Sequence, residues 1–97
     1  MKLIVLDAAQ TELEEARDYY LEHATPSIAA AFVAEYEHGA LRLLQYPHVG
    51  ALVAPRQRTL ALRHFPYSII YRVTADLITI HAIAHQRRRP GYWDGRR

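Results

Sequence analysis

The sequence predicts an α+β domain in which a helical hairpin packs on one face of an antiparallel sheet. Two observations carry this. Apolar residues recur at helical spacing through the first half of the chain, interrupted by Thr25-Pro26, and past Gly50 the period changes from helix to strand. The expected order is strand, helix, helix, then a three-stranded meander.

Residues 2–6 read as a short strand, too apolar to be an exposed edge. Asp7 offers an N-cap with Gln10 at the spacing of a capping box. Behind it Ala9, Leu13, Ala16 and Tyr20 form one apolar stripe, while Glu12, Glu15, Asp18 and Glu22 occupy the opposite face. Thr25 and Pro26 start the second helix as N-cap and first helical residue. Ile28, Phe32, Tyr36, Gly39, Leu43 and Tyr46 then follow at helical steps, and Pro47 ends the element. So short a connection makes the helices antiparallel. A glycine inside a helix costs about 1 kcal/mol against alanine, so Gly39 marks close approach to a neighbour.

Next, Leu60 and Leu62 alternate with Thr59, Ala61 and Arg63, and Phe65-Pro66 makes a corner. Tyr67, Ile69, Tyr71 and Val73 alternate with Ser68, Ile70, Arg72 and Thr74. After a turn at Ala75-Asp76, Ile78, Ile80, Ala82 and Ala84 define the core face of the last strand, with His81 and His85 off that face.

The 97 residues read as one domain, 1–97, with a basic tail at 86–97. A chain 51% hydrophobic is globular and not disordered. It has no cysteine, so disulfides and thiolate metal sites are excluded. Asp7 interrupts the N-terminal apolar run too early for a signal peptide, and no run elsewhere could span a bilayer. A cytoplasmic protein with no membrane partner is expected. The net charge of +2 hides an asymmetry: residues 1–40 carry −6 and residues 41–97 carry +8. Two faces with different partners follow from such a split.

The chemistry-bearing residues concentrate at the C-terminal end. His85-Gln86-Arg87-Arg88-Arg89-Pro90-Gly91-Tyr92-Trp93 continues directly from the last strand. Guanidinium groups grip phosphate and carboxylate oxygens in pairs, and aromatics offer stacking faces. No histidines form an i, i+4 pair on a helix; His81 and His85 on a strand stand roughly 13 Å apart, too far for one ion. Glycines never cluster as a phosphate loop, and no serine or cysteine has a nucleophile setting. Arg63, Arg72, His81, His85, Arg87, Arg88, Arg89, Tyr92 and Trp93 could clamp RNA for metal-free cleavage, with a base, cations for the phosphorane and an acid. The same set suits a protein-docking surface, where Arg, Tyr and Trp are enriched. Composition does not decide between them.

The run Leu62-Arg63-His64-Phe65-Pro66-Tyr67-Ser68-Ile69-Ile70-Tyr71-Arg72-Val73, followed by Ile80-His81-Ala82-Ile83-Ala84-His85-Gln86-Arg87-Arg88, resembles the ParE/RelE superfamily of type II toxins. Tyr46-Pro47-His48-Val49-Gly50 resembles the family's exit from its second helix. The resemblance implies a small toxin neutralised by a cognate antitoxin, without metal or cofactor and without sequence-specific DNA binding of its own. RelE-like members cleave mRNA on the ribosome, whereas ParE-like members poison DNA gyrase without being enzymes. Where RelE-like strands carry a catalytic arginine this chain has Ser68, and His85-Gln86-Arg87 looks more ParE-like. The leading expectation is a gyrase-binding toxin whose target contacts are Arg63, Arg87, Arg88, Arg89, Tyr92 and Trp93. Its antitoxin would cover Leu13, Tyr20, Phe32, Tyr36 and Arg72. The alternative is an mRNA endonuclease using Arg63, His85, Arg87 and Tyr92.

Overall fold

The structure is a computed structural model that describes residues 1–96. Its elements run β1 (Lys2–Val5), α1 (Asp7–His23), α2 (Pro26–Gln45), β2 (Ala51–Ala54), β3 (Gln57–Ala61), β4 (Tyr67–Thr74) and β5 (Leu77–His85). The strands form one sheet in the order β1-β5-β4-β3-β2, with β1 parallel to β5 and every other pair antiparallel. Both helices lie on one face, as the hydrophobic spacing predicts.

The helical stripes fall where expected. Ala9, Leu13 and Ala16 of α1 and Phe32, Tyr36, Gly39 and Leu43 of α2 are buried. They meet Ile69, Tyr71, Ile78, Ile80 and Ile83 from the sheet. Each large aliphatic side chain so buried contributes about 1.5–3 kcal/mol. Thr25 caps α2, its Oγ1 accepting from the Ile28 amide at 3.1 Å. Gly39 does mark a close approach: a Cβ there would lie 2.9 Å from Ile69 Cδ1.

Four expectations need correction. Asp7 does not cap α1; Leu6 occupies the cap position in extended conformation, with no side-chain bond to the helix, and Asp7 is the first helical residue. Its charge there still suits the helix dipole. Second, β1 is an edge strand, and Ile4 is exposed. Its four residues are short enough to offer little surface for foreign pairing. Third, the meander has four strands because Ala51–Ala54 adds β2 at the far edge. That segment is exposed on both faces, so it has no alternation by which to be recognised.

The fourth correction concerns the last strand. Ile70 pairs with Ala82 but Tyr71 with Ile80, which leaves His81 as the extra residue of a β-bulge. Ile78 and Ile80 face the helices before the bulge, and Ile83 does so after it. Ala82 and Ala84 therefore face away from the helices, packed with Ile70 and Trp93 in a second cluster. His85 is turned toward Tyr67, ring edge to ring face at 5.1 Å between centroids.

The Pro-Gly exit from α2 is held by Tyr71. Its hydroxyl donates to the Pro47 carbonyl at 2.8 Å and accepts from the Gly50 amide at 2.9 Å. Arg58 Nη1 donates to the Gly50 carbonyl at 2.7 Å and the His48 carbonyl at 3.1 Å. A buried strand side chain thus satisfies the backbone groups released where the helix ends.

Candidate functional site on the open face of the sheet

Beyond His85 the chain folds back through a series of turns over the sheet face opposite the helices. Gly91 and Gly95 adopt φ of +81° and +88°, the left-handed region in which a side chain is strained. The turns seat Trp93 against Ile70, Ala82 and Ala84, and its indole N–H donates to Gln57 Oε1 at 2.8 Å. Trp93 is only 8% exposed. An indole with its ring buried and its N–H partnered is a packing anchor.

The second anchor is Glu12 of α1. Helical spacing puts it on the face opposite the apolar stripe, yet its side chain is only 10% exposed. It accepts from the Tyr92 hydroxyl at 2.6 Å and from Arg96 at 2.8 Å and 3.3 Å. It also accepts from the backbone amide of Ile83 at 3.1 Å. That amide lies beyond the end of the β1 pairing, which stops at Val5 opposite Ile80. Glu12 therefore satisfies the open edge of β5 where its neighbour strand runs out, and holds the tail with the same carboxylate. Arg88 lies 3.9 Å over the Tyr92 ring and 3.7 Å from Glu12. Burial, the bond to Glu12 and the carboxylate's charge push the Tyr92 hydroxyl far above its ordinary pKa, outweighing the two arginines. It remains a proton donor. The sequence did hold a signal for Glu12: at three residues past Ala9 and four before Ala16, it flanks the buried stripe.

The residues predicted to meet a target are thus divided. Tyr92 and Trp93 are spent on holding the tail. Arg87 and Arg89 are exposed, and neither guanidinium has an ion pair among the described residues. Arg88 is half-committed to Tyr92. Arg97 lies outside the described residues. Arg63 stands apart, beside α2 in a hollow with Glu35, His38 and Arg42. Its backbone amide donates to Glu35 at 3.3 Å. His85 instead borders a groove of about 440 Å³ on the open face, with Ser68, Ile70, Ala84 and Trp93. Of the four residues of the nuclease alternative, Arg63 and His85 line different hollows, Tyr92 is bonded to Glu12, and the Arg87 amide donates to His85 Nδ1 at 3.1 Å.

The predicted antitoxin contacts also need revision. Leu13, Phe32 and Tyr36 are buried between the helices and the sheet, and Tyr20 packs on Phe32 and Phe65. A partner cannot touch the buried three without opening the core. The apolar side chains the hairpin does expose are Tyr19, Leu21, Ile28, Leu41, Leu44 and Tyr46. Arg72 lies elsewhere, on the open face beside His81. Among the described residues no three His, Asp or Glu side chains converge as metal ligands.

Comparison with known proteins agrees with this architecture. A family model described as the ParE toxin of the type II toxin–antitoxin system, parDE, matches residues 3–90. Toxin ParE2 of Mycobacterium tuberculosis, from strains CDC 1551 / Oshkosh and H37Rv, is 29% identical over 89 residues, covering 92% of this chain and 85% of the relative. A solved structure of the chromosomal ParDE TA system from P. aeruginosa superposes with a TM-score of 0.77 at 28% identity, covering 88% of this chain and 95% of that one. With the family model matched over residues 3–90 of the chain and the same fold in a solved relative, the chain belongs to the ParE toxins of type II toxin–antitoxin systems.

Proposed function

We propose that this toxin acts in the cytoplasm by binding DNA gyrase directly, without chemistry of its own, and is neutralised by a cognate antitoxin. The observation that carries this is the setting of Ser68. It pairs with Ala84 on the open face, in a groove walled by Val53, Ile70 and Trp93. Cleavage of RNA needs donors preorganised where charge develops on the phosphorane. At position 68 the groove supplies a hydroxyl in place of a guanidinium, and the Arg88 that also lines it is engaged with Tyr92 and Glu12.

The exposed Arg87 and Arg89 support target contact, since unpaired guanidinium groups beside a rigid anchor suit protein hot spots. The antitoxin would lie over the exposed apolar residues of the hairpin. The similar solved structure from P. aeruginosa is of a ParDE system, which supports a partner of that kind. The opposed charges of the two halves of the chain call for a partner of mixed charge.

Pulse-labelling of DNA and protein synthesis after induction without antitoxin tests the reading. DNA synthesis falling first, with a DNA-damage response, is the expected result. Early collapse of protein synthesis with DNA synthesis intact would overturn it in favour of an mRNA endonuclease. In the same assay, Arg87→Glu with Arg89→Glu should abolish toxicity in a protein that melts like the parent. A fully toxic double variant would remove these two residues from the target surface.

A further inference from the structure

A second hollow on the open face, about 310 Å³, lies between the bulge of β5 and the returning tail. Arg72 of β4, His81 at the bulge, Arg56 from the β2–β3 turn and Arg96 of the tail line it, with Trp93 as one wall. Three separate segments of chain plus the tail thus turn basic groups toward one small space. We propose that this hollow is a binding site for a phosphate group.

The first support is an unsatisfied donor. Arg72 Nε is buried and has no hydrogen-bond partner among the described residues. Burying a polar hydrogen without an acceptor costs about 1–3 kcal/mol, more for a charged group, so folded proteins rarely leave one unpaired. Next, the balance of charge is one-sided. Arg96 is neutralised by Glu12, but Arg56 and Arg72 have no ion pair among the described residues. The acid on the wall, Asp94, sets its carboxylate against Gly91.

His81 feels this excess. The residue is 9% exposed, and burial, then Arg72, then Arg96 hold its pKa below the ordinary value. Of these two arginines only Arg96 has a carboxylate partner among the described residues, Glu12. His81 is the extra residue of the bulge and lies on this face next to Ala82. Donors arriving from several directions match a tetrahedral oxyanion better than a planar carboxylate, which a single guanidinium fork already fills. This site is independent of the gyrase reading and adjoins the groove at Ser68, with Trp93 and Gln57 lining both.

The protein reports on the site itself, because Trp93 is its only tryptophan. Inorganic phosphate titrated into the purified toxin at constant ionic strength should change Trp93 fluorescence and the His81 ring proton resonances saturably. Acetate at the same ionic strength should not. Arg72→Met should weaken phosphate binding more than about tenfold. Because it removes an unpaired buried donor, this variant should unfold at the same or higher urea concentration than the parent.

Absence of a saturable phosphate effect, an equal response to acetate, or unchanged binding in Arg72→Met would each overturn the proposal. A parallel titration with a short single-stranded oligonucleotide separates the sources of the phosphate. Tighter binding than phosphate, steeply weakened by salt and lost in Arg72→Met, assigns the site to a nucleic-acid backbone. Binding no tighter than that of inorganic phosphate assigns it to a free or terminal phosphate.

Discussion

The hydroxyl of Tyr92 donates a 2.6 Å hydrogen bond to the carboxylate of Glu12, 80 residues earlier in the chain. The bond joins the sheet-facing flank of the first helix to the returning tail. It makes the tail part of the folded domain, so the exposed Arg87 and Arg89 project from a fixed base.

Replacing Glu12 with Gln should destabilise the protein by about 2–3 kcal/mol, because charge-assisted bonds to Tyr92 and Arg96 are lost together. Urea denaturation measures this. Tyr92→Phe should cost less, and the double variant should fall short of the sum by about 1 kcal/mol, since both residues belong to one network. Additive losses would show that the two residues are not coupled.

Trp93→Ala empties the second cluster and should cost about 3–5 kcal/mol, the range for a large buried aromatic. Trp93→Phe keeps the ring but strands Gln57, so its loss should be smaller. Amide exchange at Ile70, Ala82 and Ala84 should quicken in the alanine variant. Unchanged protection there would mean that Trp93 does not cover the sheet in solution.

Gly50→Ala should be among the most damaging small substitutions. A Cβ would stand 2.7 Å from both the Thr59 carbonyl and the Tyr71 hydroxyl, and the carbonyl belongs to the backbone. A loss of about 2–3 kcal/mol is expected from such overpacking. Tyr71→Phe should cost about 1–3 kcal/mol through the stranded Gly50 amide and Pro47 carbonyl. A Gly50→Ala protein as stable as the parent would refute the close packing at this turn.

His81 sets a pH dependence. Its folded-state pKa lies below the unfolded value of about 6.5, so the unfolded chain takes up the proton first. The stability this residue contributes is present above about pH 6.5 and lost as pH falls toward and through the folded pKa. Chemical denaturation at several pH values should show this decline in the parent and a shallower one in His81→Asn. Equal slopes would remove His81 as the source.

Much of the scaffold was legible because burial writes a local period into the chain. The stripes Ala9–Leu13–Ala16 and Phe32–Tyr36–Leu43 needed only helical spacing, Thr25-Pro26 only capping chemistry, and Tyr67, Ile69, Tyr71 and Val73 only strand alternation. Ala51–Ala54 left no such trace, since an edge strand exposed on both faces repeats nothing.

The sequence by itself determined the helical hairpin, the central strands and the resemblance to ParE toxins, including the serine at position 68. The tertiary structure alone decided that the final strand bulges at His81, that Glu12 joins Ile83, Tyr92 and Arg96, and that Trp93 closes the open face. The reason is the range of the interactions. Periodicity records which side of an element is buried, while a carboxylate's partners depend on where a short strand ends and what else reaches that gap.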